Sequence, residues 1–148
     1  MLHIAQHKSS SYAPRTYANA SQGVTLAIAV DFNTAGERLT TKAADGKILH
    51  VDADQLQTGL LDPLDVSRNL WRLLKKHDTS VLNIAGNDIY TYAKRGFTQE
   101  MVNNLVHILL EPLVICGAVT KVVSGGQSGA DLAGLVAGAK LGVETLGL

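Results

Sequence analysis

The chain has 148 residues, with 13 basic and 13 acidic side chains and a formal net charge of zero. This length predicts one domain, residues 1–148, that is large enough to bury a core. The charge balance argues against a protein that coats nucleic acid or lies on an acidic membrane, but it permits a small anionic ligand.

The first half of the chain predicts strands and helices in alternation. Residues 1–22 are polar, and we expect them to be irregular. Residues 24–30 form a near-continuous apolar run, which is typical of a strand covered on both faces. This half continues with a helix at 34–44, a strand at 48–51 and a loop at 52–64. Asn33 or Thr34 is the expected cap of that helix.

The second half continues the alternation. Its predicted elements are an amphipathic helix at 65–77, a strand at 81–85, a helix at 98–113, a strand at 121–124, a helix at 131–141 and a strand at 144–148. The helix at 98–113 is the longest, and Thr98 is its expected cap. Five short strands separated by helices predict an α/β fold, with a mostly parallel sheet and helices on both faces.

The most informative segment is a glycine-rich turn, Ser-Gly-Gly-Gln-Ser-Gly-Ala-Asp, at 124–131. Glycines let the main chain approach an anion, and the first N–H groups of a helix point at it. The turn is neither a Walker loop nor the three-glycine dinucleotide fingerprint, so a tight turn without a ligand remains the alternative. Small and polar residues also follow the first and third strands, at 31–37 and 86–88. Their gathering at one sheet edge favours a ligand site.

Candidate contacts follow from this edge. Gly125, Gly126 and Gly129 are expected to offer main-chain amides to a phosphate, and Gln127 and Ser128 to offer side-chain hydrogen bonds. The remaining candidate ligand contacts are Asp131, Arg15, Thr16, Asn19, Thr34, Gly36, Gly86 and Asn87. Four of these have a structural alternative: Asp131 as a helix cap, Arg15 in a surface ion pair, and Asn19 and Asn87 bonded to main chain. Tyr90, Tyr92 and Phe97 are candidates for stacking on a base, whereas Trp71 is expected in the core.

The turn at 124–131 resembles the signature of molybdenum-cofactor carrier proteins, which belong to a Rossmann-like superfamily with the Lonely-guy phosphoribohydrolases and DNA-processing protein A. The resemblance extends to Tyr-Ala-Pro-Arg-Thr-Tyr-Ala-Asn at 12–19, Leu-His-Val-Asp at 49–52 and Leu-Asn-Ile-Ala-Gly at 82–86. The glycine motif comes first in those proteins and last here, so the chain resembles a circular permutation of them. Its end directly after an apolar strand suggests further residues beyond Leu148.

This resemblance implies a Rossmann-like domain that binds a nucleotide or nucleotide-derived phosphate ligand. The protein would then be a carrier, a sensor or a sequestering protein, for example of an ADP-ribose-like signal. Similarity to the Lonely-guy enzymes implies an alternative: an N-glycosidase acting on nucleoside 5′-monophosphates, with Glu37 and Arg15 as catalytic residues.

The chain lacks the glycines that precede the glutamate in those enzymes, and Glu37 also suits a first-turn helix charge. We therefore favour a non-catalytic binder over a hydrolase. A protein-interaction module without a small ligand is the third alternative.

The remaining features narrow the setting. The five histidines show no metal-ligand spacing, and we expect no metal. The single cysteine, Cys116, lies in an apolar run and is expected to be buried. One cysteine and a polar N-terminus without a signal-peptide core indicate the cytoplasm. No apolar run approaches the ~20 residues of a membrane span. The apolar stripe of the helix at 98–113 fits either core packing or a homo-oligomer interface.

Overall fold

A six-stranded parallel sheet organises the structure. The computed structural model describes residues 2–4 and 12–147, and every strand pairing within these ranges is parallel. The strands are β1 (Leu2–Ile4), β2 (Val24–Ala29), β3 (Ile48–Asp52), β4 (Val81–Gly86), β5 (Lys121–Ser124) and β6 (Glu144–Gly147). Their spatial order is β1-β6-β5-β4-β2-β3. The predicted parallel α/β fold is confirmed, and β1 adds a sixth strand to the five expected.

Helices cover both faces of this sheet. They are α1 (Tyr12–Ala20), α2 (Ala35–Ala44), α3 (Ala53–Thr58), α4 (Pro63–Lys76), α5 (Ile89–Ala93), α6 (Gln99–Ile115) and α7 (Ala130–Leu141). The connection from β2 to β3 runs in one direction along the sheet, and the connections from β3 to β6 run in the other. Right-handed crossovers therefore place α2 on one face and α4, α6 and α7 on the opposite face. In agreement, α1 packs against α2, while α6 packs against α4 and α7.

The larger core lies between the sheet and the layer of α4, α6 and α7. Leu26 and Ile84 of the strands belong to this cluster, together with Leu70 of α4 and Leu109 of α6. Side chains alternate along a strand, so the neighbouring residues point to the opposite face. There the Nδ2 of buried Asn83 donates to the Oγ1 of Thr25 at 3.1 Å. The face toward α2 is therefore partly polar.

Helix starts follow the predicted capping signals. The Oγ1 of Thr34 accepts the N–H of Glu37 at 3.1 Å, which confirms Thr34 as the cap of α2. The Oγ1 of Thr98 accepts the N–H of Met101 at 3.2 Å and begins α6 in the same way. Such caps satisfy amide donors that have no partner inside the helix.

Two predictions of irregular structure are wrong. Within the described part of 1–22, the chain forms β1 and α1, and the predicted loop at 52–64 contains α3. Both β1 and α3 depend on contacts that a local apolar pattern does not show: β1 pairs with β6, 143 positions away in register, and Asp52 caps α3 through the N–H of Asp54. The short helix α5 was also not predicted.

The side chain of Asn87 ties together the carboxyl ends of β2 and β4. Its Oδ1 accepts the N–H groups of Val30 at 2.8 Å and Asp31 at 3.0 Å, and its Nδ2 donates to the Asp31 carbonyl oxygen at 2.8 Å. The preceding Gly86 must lack a side chain, because a Cβ there would collide with the Ile28 carbonyl oxygen. Where the strand order reverses, the ends of β2 and β4 are therefore held together by the Asn87 side chain and by the close main-chain approach at Gly86.

We expect Asn87→Ala to lower the free energy of unfolding by about 2–4 kcal/mol, because three main-chain groups lose a partner at a buried position. Urea denaturation followed by circular dichroism measures this change. Asn69→Ala is the matched control, since Asn69 is exposed and its side chain only accepts from Arg72. Equal stability of the two variants would contradict this role of Asn87.

Candidate functional site

A cavity of about 630 Å³ opens at the carboxyl edge of the sheet. Its walls come from α1, α2, the ends of β4 and β6, the turn after β5, and the first turns of α7. It therefore adjoins the strand β4 at the reversal of strand order, where parallel α/β sheets bind their ligands. Its volume falls within the roughly 300–1,000 Å³ of pockets that hold small molecules.

The cavity brings together two segments that are far apart in the sequence. The candidate residues that line it are Arg15, Thr16, Asn19, Gly125, Gly126, Gln127 and Asp131. Arg15 and Asn19 are four residues apart on α1, so they share one face of that helix. The other candidates, Thr34, Gly36, Gly86, Asn87, Ser128 and Gly129, do not line it. Thr40, Asn83 and Leu135 do line it and were not among the candidates.

The first amides of α7 are occupied by the protein itself. The N–H of Gly129 donates to the Oε1 of Gln99 at 2.6 Å, and the N–H of Ala130 donates to the Asn87 carbonyl oxygen at 3.0 Å. The expectation that these helix-start amides are open to a phosphate is therefore wrong. Within the described part of the chain, the N–H groups of Gly126 and Ser128 have no partner. An anion at this turn would meet these two amides instead.

The carboxyl group of Asp131 turns inward instead of capping the helix. Gly129 occupies the cap position of α7, and no side chain caps that helix. The Asp131 carboxylate accepts the main-chain N–H of Gln127. Its Oδ2 lies against Gly125, where an added Cβ would collide with it. The interpretation of Asp131 as a cap is wrong, and the lack of a side chain at Gly125 makes room for this carboxylate.

Glu37 is a buried acid beside Asp131. It is 2% exposed, and its Oε2 has no hydrogen-bond partner in the described part of the chain. Burial, followed by the charges of Asp131 and Asp31, raises the pKa of Glu37 to about 7. Glu37 lies in the first turn of α2, as the helix-charge interpretation expects, but the protein encloses it.

The pKa of Asp131 is raised by the same main cause. Burial raises the pKa of Asp131 to about 7, although the Gln127 N–H and the Arg15 guanidinium lower it. Two interacting carboxyl groups with such values hold protons jointly near neutral pH.

Unpartnered polar atoms concentrate around this cavity. Five buried side-chain atoms in the described part of the chain lack a hydrogen bond, and three of them are Arg15 Nε, Asn19 Oδ1 and Glu37 Oε2. Leaving such a group unpaired costs about 1–3 kcal/mol. Folding alone does not account for three of them in one place, and each such group calls for an explanation such as a ligand.

The predicted aromatic contacts lie elsewhere. Tyr92 is fully buried, donates its O–H to the Ile28 carbonyl oxygen and packs against Phe97 with ring centroids 5.6 Å apart. Tyr90 is exposed, and none of the described residues that line the cavity is aromatic. The short helix α5 causes this arrangement by turning Tyr92 toward the core.

Two predictions of burial are also wrong. Trp71, expected in the core, is 43% exposed, with the Lys75 ammonium 5.6 Å from its ring. Cys116 is exposed where α6 ends, because the apolar run that contains it continues past the last buried turn of that helix.

Other kinds of site can be checked directly. Within residues 2–4 and 12–147, no group of three or more His, Cys, Asp or Glu side chains is placed to hold a metal ion. None of the helices in those ranges is both long and apolar enough to cross a membrane. No protein-family model, curated protein or solved structure matches the chain.

We expect stability to fall as the pH rises from about 4 to 8. The pKa values of Glu37 and Asp131 rise from their ordinary 4.5 and 3.8 to about 7 on folding. As the pH rises, the unfolded state therefore releases these protons first. The free energy of unfolding falls until both groups are ionised in the native state above pH 7. Thermal and urea unfolding at pH 5.5 and pH 8 measure the difference.

Glu37→Gln should raise the free energy of unfolding at pH 8 by about 1–3 kcal/mol, at roughly 1.4 kcal/mol per pKa unit, and flatten the pH profile. Glu111→Gln is the control, because Glu111 is exposed and pairs with His107 on the surface of α6. Parallel pH profiles for wild type and Glu37→Gln would contradict the burial of an ionisable group at this position.

Proposed function

We propose that the cavity binds a nucleotide or nucleotide-derived phosphate ligand, and that the protein acts as a carrier, sensor or sequestering protein. The observation that carries this proposal is the convergence of buried, unpartnered polar atoms from Arg15 and Asn19 with the glycine turn in one cavity. Such groups gain the hydrogen bonds that they lack when a polar ligand enters.

The groups of Arg15 and Gly126 favour a ligand that carries a phosphate. Among the described residues that line the cavity, Arg15 is the one cationic side chain. No carboxylate of residues 2–4 or 12–147 lies within ion-pair distance of it. A guanidinium donates to phosphate oxygens in a planar, charge-assisted arrangement. The unpartnered N–H of Gly126 adds a main-chain donor at the same cavity.

The size and polarity of the cavity support a ligand larger than a free phosphate. Its volume of about 630 Å³ accommodates a phosphorylated sugar or nucleoside. Leu132 and Leu135 of α7 add apolar wall area, while Asn83 and Thr40 add polar groups. This mixture is typical of pockets that orient a ligand through a few polar contacts.

One observation favours a second candidate, hydrolysis of an N-glycosidic bond. Glu37 and Asp131 both have pKa values raised to about 7, and carboxyl groups that titrate near neutral pH can act as acid or base catalysts. Glu37 does not line the cavity, however, so a ligand would reach Asp131 and Arg15 first. Binding without catalysis therefore remains the better-supported function.

Binding is tested by thermal shift against nucleoside mono- and diphosphates, ADP-ribose, cyclic dinucleotides and molybdopterin. We expect at least one to raise the melting temperature, since a ligand at a hundred times its Kd adds about 2.7 kcal/mol. Arg15→Gln should lower the affinity for that ligand by about tenfold or more. Arg72→Gln, on the surface of α4, is the matched control. A screen without any shift would favour a protein-interaction module instead.

The hydrolase candidate has a separate measurement. Incubation with nucleoside 5′-monophosphates, followed by chromatography of the free base, should show no enzyme-dependent release if the protein is a binder. If the wild type and Glu111→Gln release the free base but Glu37→Gln does not, the result would overturn the binder proposal and establish the hydrolase.

A further inference from the structure

We propose that Asn19 and Asp131 recognise the vicinal hydroxyls of a ribose, so that the cavity selects ribose phosphates over their 2′-deoxy counterparts. This inference rests on the proposed ligand-binding function and assigns the sugar end of that ligand. Its basis is the Oδ1 of Asn19, which has no partner in the described part of the chain, together with the Asp131 carboxylate in the lining of the same cavity.

Asn19 supplies the clearest unpaired acceptor. It is 6% exposed, it lines the cavity, and its Oδ1 has no hydrogen-bond partner in the described part of the chain. Its Nδ2 lies 4.0 Å from the position that a Cβ on Gly125 would take. The Asp131 carboxylate lies against the same position. Asn19 and Asp131 therefore lie next to each other beside Gly125, with the Asp131 carboxylate in the space that the missing side chain leaves.

Asp131 and Glu37 add acceptors around that region. Asp131 lines the cavity, and the hydrogen bond that the structure shows to its carboxylate comes from the Gln127 main chain. Glu37 does not line the cavity, but its buried Oε2 is unpartnered and its carboxylate lies close enough to Asp131 for their charges to repel. Of these two acids, Asp131 alone lines the cavity, so it is the one that a ligand would contact.

Hydroxyl groups suit this cluster better than cations do. No described group of acidic side chains there is placed to hold a metal ion. Carboxyl groups that keep a proton near neutral pH attract an ammonium weakly. A hydroxyl both donates and accepts, so it pairs with an ionised carboxylate, a protonated carboxyl or an amide oxygen.

A ribose phosphate supplies both kinds of partner in one molecule. Its phosphate oxygens accept from Arg15 and the N–H of Gly126, and its adjacent hydroxyls donate to Asn19 and Asp131. A site built to bond a hydroxyl discriminates against an analogue that lacks it, because its own polar groups are then left unpaired. Selection between ribose and 2-deoxyribose is the measurable consequence.

The test compares ribose 5-phosphate with 2-deoxyribose 5-phosphate, and AMP with 2′-deoxy-AMP and 3′-deoxy-AMP, by isothermal titration calorimetry on the full chain. We expect the wild type to bind the ribose compounds about tenfold or more tightly. Asn19→Ala and Asp131→Ala, which each remove the acceptor, should reduce this ratio to about two- to threefold, mainly by weakening the binding of the ribose compounds. Arg15→Gln should weaken the binding of each ribose compound and of its deoxy counterpart equally, so that the ratio of their affinities is unchanged.

The outcomes separate the two proposals. Equal wild-type affinity for the ribose and deoxyribose compounds would overturn the sugar assignment and leave phosphate binding intact. Failure of all five compounds to bind would remove the sugar assignment, while the wider ligand screen decides the binding function. The wild-type comparison needs no variant, so it stands even where Asp131→Ala unfolds. Asn69→Ala, at an exposed position of α4, is the control for a nonspecific asparagine effect.

Discussion

The contact between Gly125 and the Asp131 carboxylate is the constraint on which the candidate site depends. A side chain at Gly125 would occupy the space of this carboxylate, and the Gln127 main chain holds it in place. Glu37 is itself buried and lies close enough to Asp131 to experience its like charge. The glycine therefore accounts for the inward position of the Asp131 carboxylate, and the two neighbouring acids impose a cost on the fold.

The groups that carry this cost lie next to strand and helix ends that side-chain hydrogen bonds fix. Asn87 fixes the ends of β2 and β4 through three hydrogen bonds to main chain, and Gln99 of α6 fixes the start of α7. These contacts satisfy the groups around the cavity, whereas polar atoms on its wall remain unpaired. Rigid surroundings that support unsatisfied groups are the arrangement that preorganises a binding site.

Much of the fold was predictable because its signals are local. Apolar runs marked β2, β4 and β5, and threonine caps marked the starts of α2 and α6. The first strand and α1 escaped prediction, since β1 is short and pairs only with β6, and α1 is polar with Pro14 in its first turn. Proline is compatible with a first turn, so its presence there did not argue against a helix.

The site was predictable by residue but less so by role. The segments at 12–19 and 124–131 supplied seven of the lining residues, yet their use differs from expectation. Gln99 lies 30 residues before the amide of Gly129 that it occupies, and no spacing in the sequence reveals that bond. The burial of Glu37 is likewise a tertiary property, because the first turn of a helix is equally compatible with an exposed or an enclosed acid.

The exposed Cys116 gives the molecule a natural attachment point. It is the one cysteine in the sequence and lies at the end of α6 opposite to Gln99, which contacts the glycine turn. At 1.5 Å per residue, that helix separates the thiol from the turn by about 25 Å. A maleimide dye or a sensor-chip tether coupled to this sulfur would report on the chain in single-molecule or immobilised formats while leaving the mouth of the cavity unobstructed.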